Sequence, residues 1–296
     1  MTKKLNIGFV SFSGNAKGYR NAVDKFDNLT FSGVYFPKDD NSFENYSEHR
    51  FENYQDLLDA SDIILFFSEK AQRKLIIEAI RNLKHILIDD YTCILNETVV
   101  SLCNFVDEAE ITAQVAMPKL YYWGICEIIE TYKNIRYIHF DKSIDYSYRR
   151  PTVDIIPEIL AIIKLADSEV VSLHNKNLPL PVRKSELLQI NLEFLNGISA
   201  SIKANPCAFY DNRELTIIAE KNIALIDLRK REWHNLVYKT ITAEPVKELF
   251  TLDEVPFIER NELKNLINSI TTKTDPFISP KSIRSLWKCI KMMNVK

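Results

Sequence analysis

Leu5-Asn6-Ile7-Gly8-Phe9-Val10 is followed directly by Ser11-Phe12-Ser13-Gly14-Asn15-Ala16 near the start of the chain. The apolar run predicts a buried strand, and a helical pattern begins near Ala16. A strand, a short loop and a helix in this order are typical of the dinucleotide-binding fingerprint G-x-G-x-x-G. In this loop serine stands at the first two glycine positions and alanine at the third.

Each glycine of the fingerprint has its own mechanical role. The first allows a tight turn, where a side chain in the left-handed region costs roughly 1–2 kcal/mol. The second lets the backbone approach a pyrophosphate, and the third lets the helix pack on the strand. Ala16 fits the fingerprint, whereas Ser11 and Ser13 do not. Either the loop keeps its fold without a ligand, or it still binds phosphate through a group of adjacent residues: Ser11, Ser13, Gly14, Asn15 and Ala16.

Short apolar runs alternate with helical patterns over the first third of the chain. Further strands are predicted at 30–36, 62–67, 85–89 and 111–117. Short strands that are apolar throughout suit a parallel sheet covered on both faces. Residues 1–118 are therefore predicted to form a doubly wound α/β domain of the Rossmann type.

The pattern changes after Pro118, where closely spaced strands replace the regular alternation. Apolar and polar residues alternate along 188–194, which indicates a sheet with one covered face. Residues 119–296 are predicted to form an α+β domain with an open, mostly antiparallel sheet. Its predicted helices are 121–132, 152–166, 256–271 and 279–293, and its predicted strands are 135–140, 169–174, 187–194, 198–204, 214–219 and 222–227.

Composition narrows the classes of function. The 296 residues are 46% hydrophobic and 26% charged, as in ordinary globular proteins of two domains. A net charge of −2 gives no general argument for nucleic-acid or membrane binding. Five scattered cysteines without a C-x-x-C pair, and five histidines without metal spacing, predict reduced thiols and no metal centre. With no signal-peptide pattern and no long apolar run, a cytoplasmic protein is expected.

Two segments carry a resemblance to the Gfo/Idh/MocA family, the relatives of glucose–fructose oxidoreductase and inositol dehydrogenase. Residues 51–64 (FENYQDLLDASDII) resemble the helix, turn and strand before the family's cofactor loop, and residues 192–200 (LEFLNGISA) resemble its C-terminal hairpin. The resemblance extends over essentially the full length. It implies NAD or NADP binding in the first domain and oxidation or reduction of a sugar or related small molecule. It also implies a homo-oligomer that forms through the outer face of the C-terminal sheet.

Two catalytic patterns of that family are altered here. The E-K-P segment, whose lysine polarises the reacting group, aligns with Asp89-Asp90-Tyr91 and so lacks its cation. The two aspartates also suit the end of a strand and the cap of the next turn. The D-x-x-x-H pattern aligns with Asp154 and Glu158. Glu158 either exchanges protons, which requires burial to raise its pKa, or stabilises the N-terminus of a helix.

The resemblance also places candidates for binding. Asp39, just past the second strand, and Ser68, after the third, are the cofactor-binding candidates there. Lys119 is the surviving cation near the expected substrate pocket, and with Asp154 and Glu158 it completes the catalytic candidates. Aromatic and arginine side chains are candidates to bind a small-molecule or anionic ligand, although a solvated loop or an amphipathic helix explains them equally: Tyr122, Tyr148, Arg149 and Arg150.

Two functions remain open at this point. One is a diverged, non-catalytic protein that needs no cofactor and serves as a binding or assembly component. The other is a working NAD(P)-dependent oxidoreductase that uses the serine-containing loop for phosphate, with Lys119 or Glu158 transferring protons. The first is favoured because three independent losses, of the glycines, the lysine and the histidine, are harder to explain than one.

Overall fold

The computed structural model describes residues 4–37, 49–67, 73–145, 155–180, 186–208, 211–237, 246–251 and 258–293. Strands and helices in these ranges follow in chain order: β1 Leu5–Val10, α1 Ala16–Val23, β2 Leu29–Tyr35, β3 Arg50–Phe51, α2 Tyr54–Asp59, β4 Ile63–Phe66, α3 Arg73–Arg81, β5 His85–Ile88, α4 Thr98–Glu108, β6 Ala113–Val115, α5 Pro118–Tyr122, α6 Ile125–Thr131, β7 Ile135–Asp145, α7 Ile156–Ala166, β8 Val170–Pro179, β9 Glu186–Phe194, β10 Ser199–Ala208, β11 Asn212–Ala219, β12 Asn222–Asp227, β13 Glu232–Val237, β14 Val246–Thr251, α8 Ile258–Thr272 and α9 Pro280–Met292.

The chain forms two compact units. One contains Met1–Pro118 and Pro256–Arg284, and the other contains Lys119–Val255 and Ser285–Lys296. The sequence predicts a division into 1–118 and 119–296. The structure differs in that the first unit also contains a segment from near the end of the chain. The reason is packing, because the apolar side of α8 lies in the core of the first sheet through Leu263, Leu266 and Ile267.

The first unit is built on a parallel sheet with strand order β3-β2-β1-β4-β5-β6. This order defines the dinucleotide-binding Rossmann fold and confirms the predicted fold class. The apolar runs form its central strands, and every residue of β4 is buried. The two-residue strand β3 was missed because it is too short to leave a periodic pattern.

The second unit contains an eight-stranded sheet with order β14-β13-β12-β11-β7-β10-β9-β8. Only the β7–β10 pair is parallel among its described pairs, which confirms the predicted open, mostly antiparallel sheet. Helix α7 packs on β7 and β10, and nearly all of its residues are buried. Strands β13 and β14 were not predicted. Every residue of β14 is exposed, so this edge strand has no apolar face to detect.

The predicted helix 121–132 is interrupted in the structure. Gly124 has φ +67°, the left-handed conformation that favours glycine, and the chain changes direction there between α5 and α6. The break leaves Tyr122 as the last residue of α5 and Trp123 in the turn that follows it. Among the described residues no helix is both long and apolar enough to cross a membrane.

Candidate functional site

The candidate dinucleotide site lies in the first unit, where the strand order reverses between β1 and β4. In sheets of this kind ligands bind beyond the carboxyl ends of the strands at this position. The loop 11–15 leaves β1 there, Phe67 follows β4, and Asp89 follows β5. The predicted succession of strand, loop and helix at residues 5–16 is confirmed, and its use as a dinucleotide site stays a prediction.

Ser11 keeps the backbone turn that the fingerprint assigns to glycine. Its φ is +69°, its side chain is fully buried, and its amide donates to the carbonyl of Tyr35 at 2.9 Å. Gly14 also has a positive φ, +55°. The strain of a left-handed serine, roughly 1–2 kcal/mol, is therefore borne by the surrounding fold. The shape of the turn survives the loss of its first glycine.

Ser13 directs its hydroxyl to the protein backbone. Its Oγ donates a short hydrogen bond to the carbonyl of Phe67, at the end of β4. The carbonyl of Ser13 accepts from the amide of Ala16 at 3.1 Å, which closes the loop onto the first turn of α1. The one proton of this hydroxyl is thereby used within the chain.

Asp89 lies against this loop. Asn15 Nδ2 is 3.3 Å from its Oδ1, and its Oδ2 is 3.7 Å from where a Cβ on Gly14 would stand. Burial raises the pKa of Asp89, the hydrogen bond from Asn15 lowers it, and the charges of Asp90 and Glu259 raise it further. A pyrophosphate at this loop would meet a carboxylate and a hydroxyl already engaged. The described residues therefore do not fit a dinucleotide in the way that a glycine-rich loop does.

Asp90 stands where the family pattern has its lysine, and it acts as a cap. Its Oδ1 accepts from the amide of Thr92 at 2.8 Å and contacts the hydroxyl of Thr92 at 2.7 Å. It begins the 3-10 turn Tyr91–Cys93. The predicted capping role is confirmed, and the carboxylate supplies no cation for catalysis.

Glu262 on α8 connects three parts of the first unit, and sequence reasoning missed it. Its buried carboxylate accepts from the hydroxyl of Tyr19 on α1 and, at 2.9 Å, from the amide of Met117. Its carbonyl accepts from the side chain of Gln114. Burial is the main cause that raises the pKa of Glu262 to about 7. A signal was present, because Glu262 lies on the apolar stripe that also contains Leu263 and Leu266.

Glu158, the residue at the family's histidine position, lies in the first turn of α7 in the second unit. It is fully buried, with Lys142 Nζ at 2.9 Å and Arg213 Nε at 3.4 Å from its Oε1. These contacts are ion pairs at angles outside hydrogen-bond geometry, since neither oxygen of Glu158 has a hydrogen-bond partner among the described residues. Lys142 is itself buried, whereas Arg213 is 25% exposed and lies 5.0 Å over the ring of Trp123.

The other candidates are placed as follows. Lys119 is exposed in the first turn of α5, and its carbonyl accepts from the amide of Trp123. Tyr122 is 43% exposed, and the guanidinium of Arg231 lies 5.4 Å from its ring. The remaining candidates lie outside the described residues: Asp39, Ser68, Tyr148, Arg149, Arg150 and Asp154.

Metal and thiol chemistry find little support in the part of the chain that the structure describes. No group of three or more potential metal ligands occurs there. Four cysteines in it are free, and burial raises the pKa of Cys93, Cys126 and Cys289 to about 12. Thiols of this kind are poor nucleophiles at neutral pH.

The fold is that of the Gfo/Idh/MocA-type dehydrogenases, with a Rossmann unit and an open-sheet unit. UDP-N-acetylglucosamine 3-dehydrogenase GnnA from Acidithiobacillus ferrooxidans superposes with a TM-score of 0.79 at 14% identity, over 99% of this chain and 97% of that one. A dehydrogenase from Chromobacterium violaceum gives 0.77 at 11%, over 99% and 95%. Dehydrogenase MviM from Clostridium difficile gives 0.73 at 16%, over 98% and 99%.

Sequence comparison adds nothing to this structural likeness. No family model matches the chain, and no curated protein matches it either. At 10–16% identity the solved structures establish the fold alone.

Proposed function

We propose that this chain is a diverged protein of the dehydrogenase fold that acts without catalysis, as a binding or assembly component. The observation that carries the proposal is the environment of Glu158. A group that exchanges a proton with a substrate must come within hydrogen-bond reach of it. Glu158 is instead fully buried against Lys142 and Arg213, which is the environment of a structural ion pair.

Two features of the first unit support the same proposal. Asp90 caps a turn at the position of the family's lysine, so that position provides no positive charge to a developing alkoxide. Asp89 and the engaged hydroxyl of Ser13 oppose a pyrophosphate at the loop. In this proposal the residues at the positions of the family's glycines, lysine and histidine stabilise the fold of this chain.

A second candidate function is an active NAD(P)-dependent oxidoreductase that acts on a sugar or related small molecule. The observation that favours it is the retained backbone turn, with positive φ at Ser11 and Gly14 before α1. In this case NAD or NADP would be held at residues 11–16, where the amides at the start of α1 would bind its phosphates, and the bound cofactor would supply the hydride chemistry. Lys119 would then supply the missing cation.

Titration of the purified chain with NADH and NADPH, followed by cofactor fluorescence, separates the two functions. We expect no saturable binding up to about 1 mM, the upper end of usual Michaelis constants. Binding in the micromolar range would contradict the non-catalytic proposal. A Ser11→Gly/Ser13→Gly double variant is expected to gain affinity, and the two single variants show which side chain is the obstacle.

We further propose a cytoplasmic homo-oligomer that forms through the outer face of the second unit's sheet. This face exposes Ile218 and Leu225 beside the hydrogen-bonded group Tyr137, Ser201 and His139. A broad sheet face with exposed apolar residues is readily buried by symmetry. Light scattering that gives the mass of a single chain, 34.4 kDa, at high concentration would contradict it.

A further inference from the structure

Three cationic side chains lie in one row on the helix-covered face of the second unit's sheet. Lys142 on β7 pairs in register with Arg213 on β11. The carbonyl of Arg213 accepts from the amide of Leu228 at 3.0 Å, and Arg231 lies opposite Leu228, since Asp227 and Glu232 pair across that turn. We call Lys142, Arg213 and Arg231 the cationic row.

Arg231 is buried without an acidic partner among the described residues. It is 8% exposed, its Nε has no hydrogen-bond partner there, and no ion pair to it occurs. The electron-rich ring face of Tyr122 lies next to the positive charge of Arg231, with 5.4 Å between the ring centroid and the guanidinium carbon. A buried cation is unfavourable unless it is paired and hydrogen-bonded. This arrangement therefore points to an anion that completes the site.

The side chain of Arg213, on β11, also reaches the C-terminal end of α5. Its guanidinium lies over Trp123, the residue directly after Tyr122. Glu158 engages its Nε side at 3.4 Å, and a quarter of the side chain remains exposed. Two strand spacings, about 10 Å, separate the backbones of Arg213 and Arg231, and both side chains are long enough to reach one ligand group between them.

We propose that Arg213 and Arg231 bind the anionic group of a small molecule, a carboxylate or a phosphate, at the C-terminal end of α5, beside Tyr122 and Trp123. Guanidinium groups match both kinds of anion through paired hydrogen bonds. Glu158 holds Arg213 in place through their ion pair, whereas Arg231 has no acidic partner among the described residues. The inference rests on the binding role in the proposed function and is independent of whether NAD(P) binds.

Isothermal titration calorimetry on the full chain tests this site with two probes, inorganic phosphate and glucuronate, in about 20 mM salt so that screening stays weak. We expect saturable binding of at least one probe to the wild type. Saturation by phosphate alone assigns a phosphate ligand, and saturation by glucuronate alone assigns a carboxylate. If neither probe saturates, the proposal is wrong, and the NADPH titration remains a separate test of the proposed function.

Variants locate the anion on the two arginines. Arg231→Gln and Arg213→Gln are each expected to weaken binding about tenfold or more, because each removes a charged hydrogen bond. Lys230→Gln is the matched control, since it removes the same charge from the same turn at a side chain that is 68% exposed, and it should bind as the wild type does. Arg231→Lys, which keeps the buried charge, covers the case in which Arg231→Gln does not fold. Wild-type affinity in Arg231→Lys and Arg213→Gln would overturn the proposal.

Discussion

Buried carboxylates have opposite surroundings in the two units. In the first unit, the groups that act on the pKa values of Asp89 and Glu262 are other acids, amides and a hydroxyl, and burial raises both pKa values. In the second unit, Glu158 lies against Lys142 and Arg213. The first arrangement favours uptake of protons, whereas the second uses the carboxylate to hold cations in place. Carboxylates thus face other acids in the first unit and cations in the second.

The largest expected effect comes from removing the charge of Glu158. Glu158→Gln keeps the size of the side chain but takes the carboxylate away from buried Lys142, and loss of one partner of a buried ion pair costs about 3–5 kcal/mol. Urea denaturation at neutral pH should report this loss in the free energy of unfolding.

Asp141, which precedes Lys142 on β7, provides the control for Glu158→Gln. Asp141 forms an ion pair of the same length, 2.9 Å, with Lys203, but Lys203 is 45% exposed. Asp141→Asn should therefore cost only about 0–1 kcal/mol. Equal losses in the two variants would mean that burial does not distinguish the pairs, and the comparison between the units would lose its basis.

Asp90 and Glu158 illustrate what the sequence could and could not predict. The doubly wound fold, the loop after β1 and the cap at Asp90 were predictable, because strand–helix alternation and turn chemistry are visible in the local sequence. The pairing of Glu158 with Lys142 was not predictable. The strand around Lys142 was predicted to end at Phe140, although Lys142 has the same parity along the strand as the buried Ile138 and Phe140. Arg231 was missed because the unpredicted strand β13 follows it. Long-range pairing across a sheet leaves no mark on the local sequence.

The next effect in size concerns Glu262 and pH. Its pKa is about 7 in the fold against an ordinary value of 4.5, so the folded state binds this proton more tightly than the unfolded state does. This contribution to stability is complete below about pH 4.5 and declines until about pH 7, by on the order of 3 kcal/mol. Glu262→Gln, which does not ionise and still accepts from Met117, should unfold with a free energy that lacks this decline.

Urea denaturation at about pH 5 and about pH 8 measures the effect of Glu262, because these values bracket most of its titration. The variant should exceed the wild type in stability at the higher pH. Glu108→Gln, at an exposed position of α4, is the control and should keep the slope of the wild type. A wild type whose stability does not fall between the two pH values would show that Glu262 is not held in its protonated form.

The smallest effect is expected at the loop itself, and it tests whether Asp89 keeps anions away from the first unit. Asp89→Asn retains the shape of the side chain beside Gly14 and removes its negative charge, so NADPH should bind about tenfold more tightly than to the wild type. Because the pKa of Asp89 is raised, any wild-type affinity should increase as the pH falls, while that of the variant should not. Glu108→Gln, at an exposed position of α4, controls for net charge. If fluorescence titration gives equal affinities for Asp89→Asn and Glu108→Gln, the charge of Asp89 does not weaken dinucleotide binding. The serines are then the obstacle at this loop.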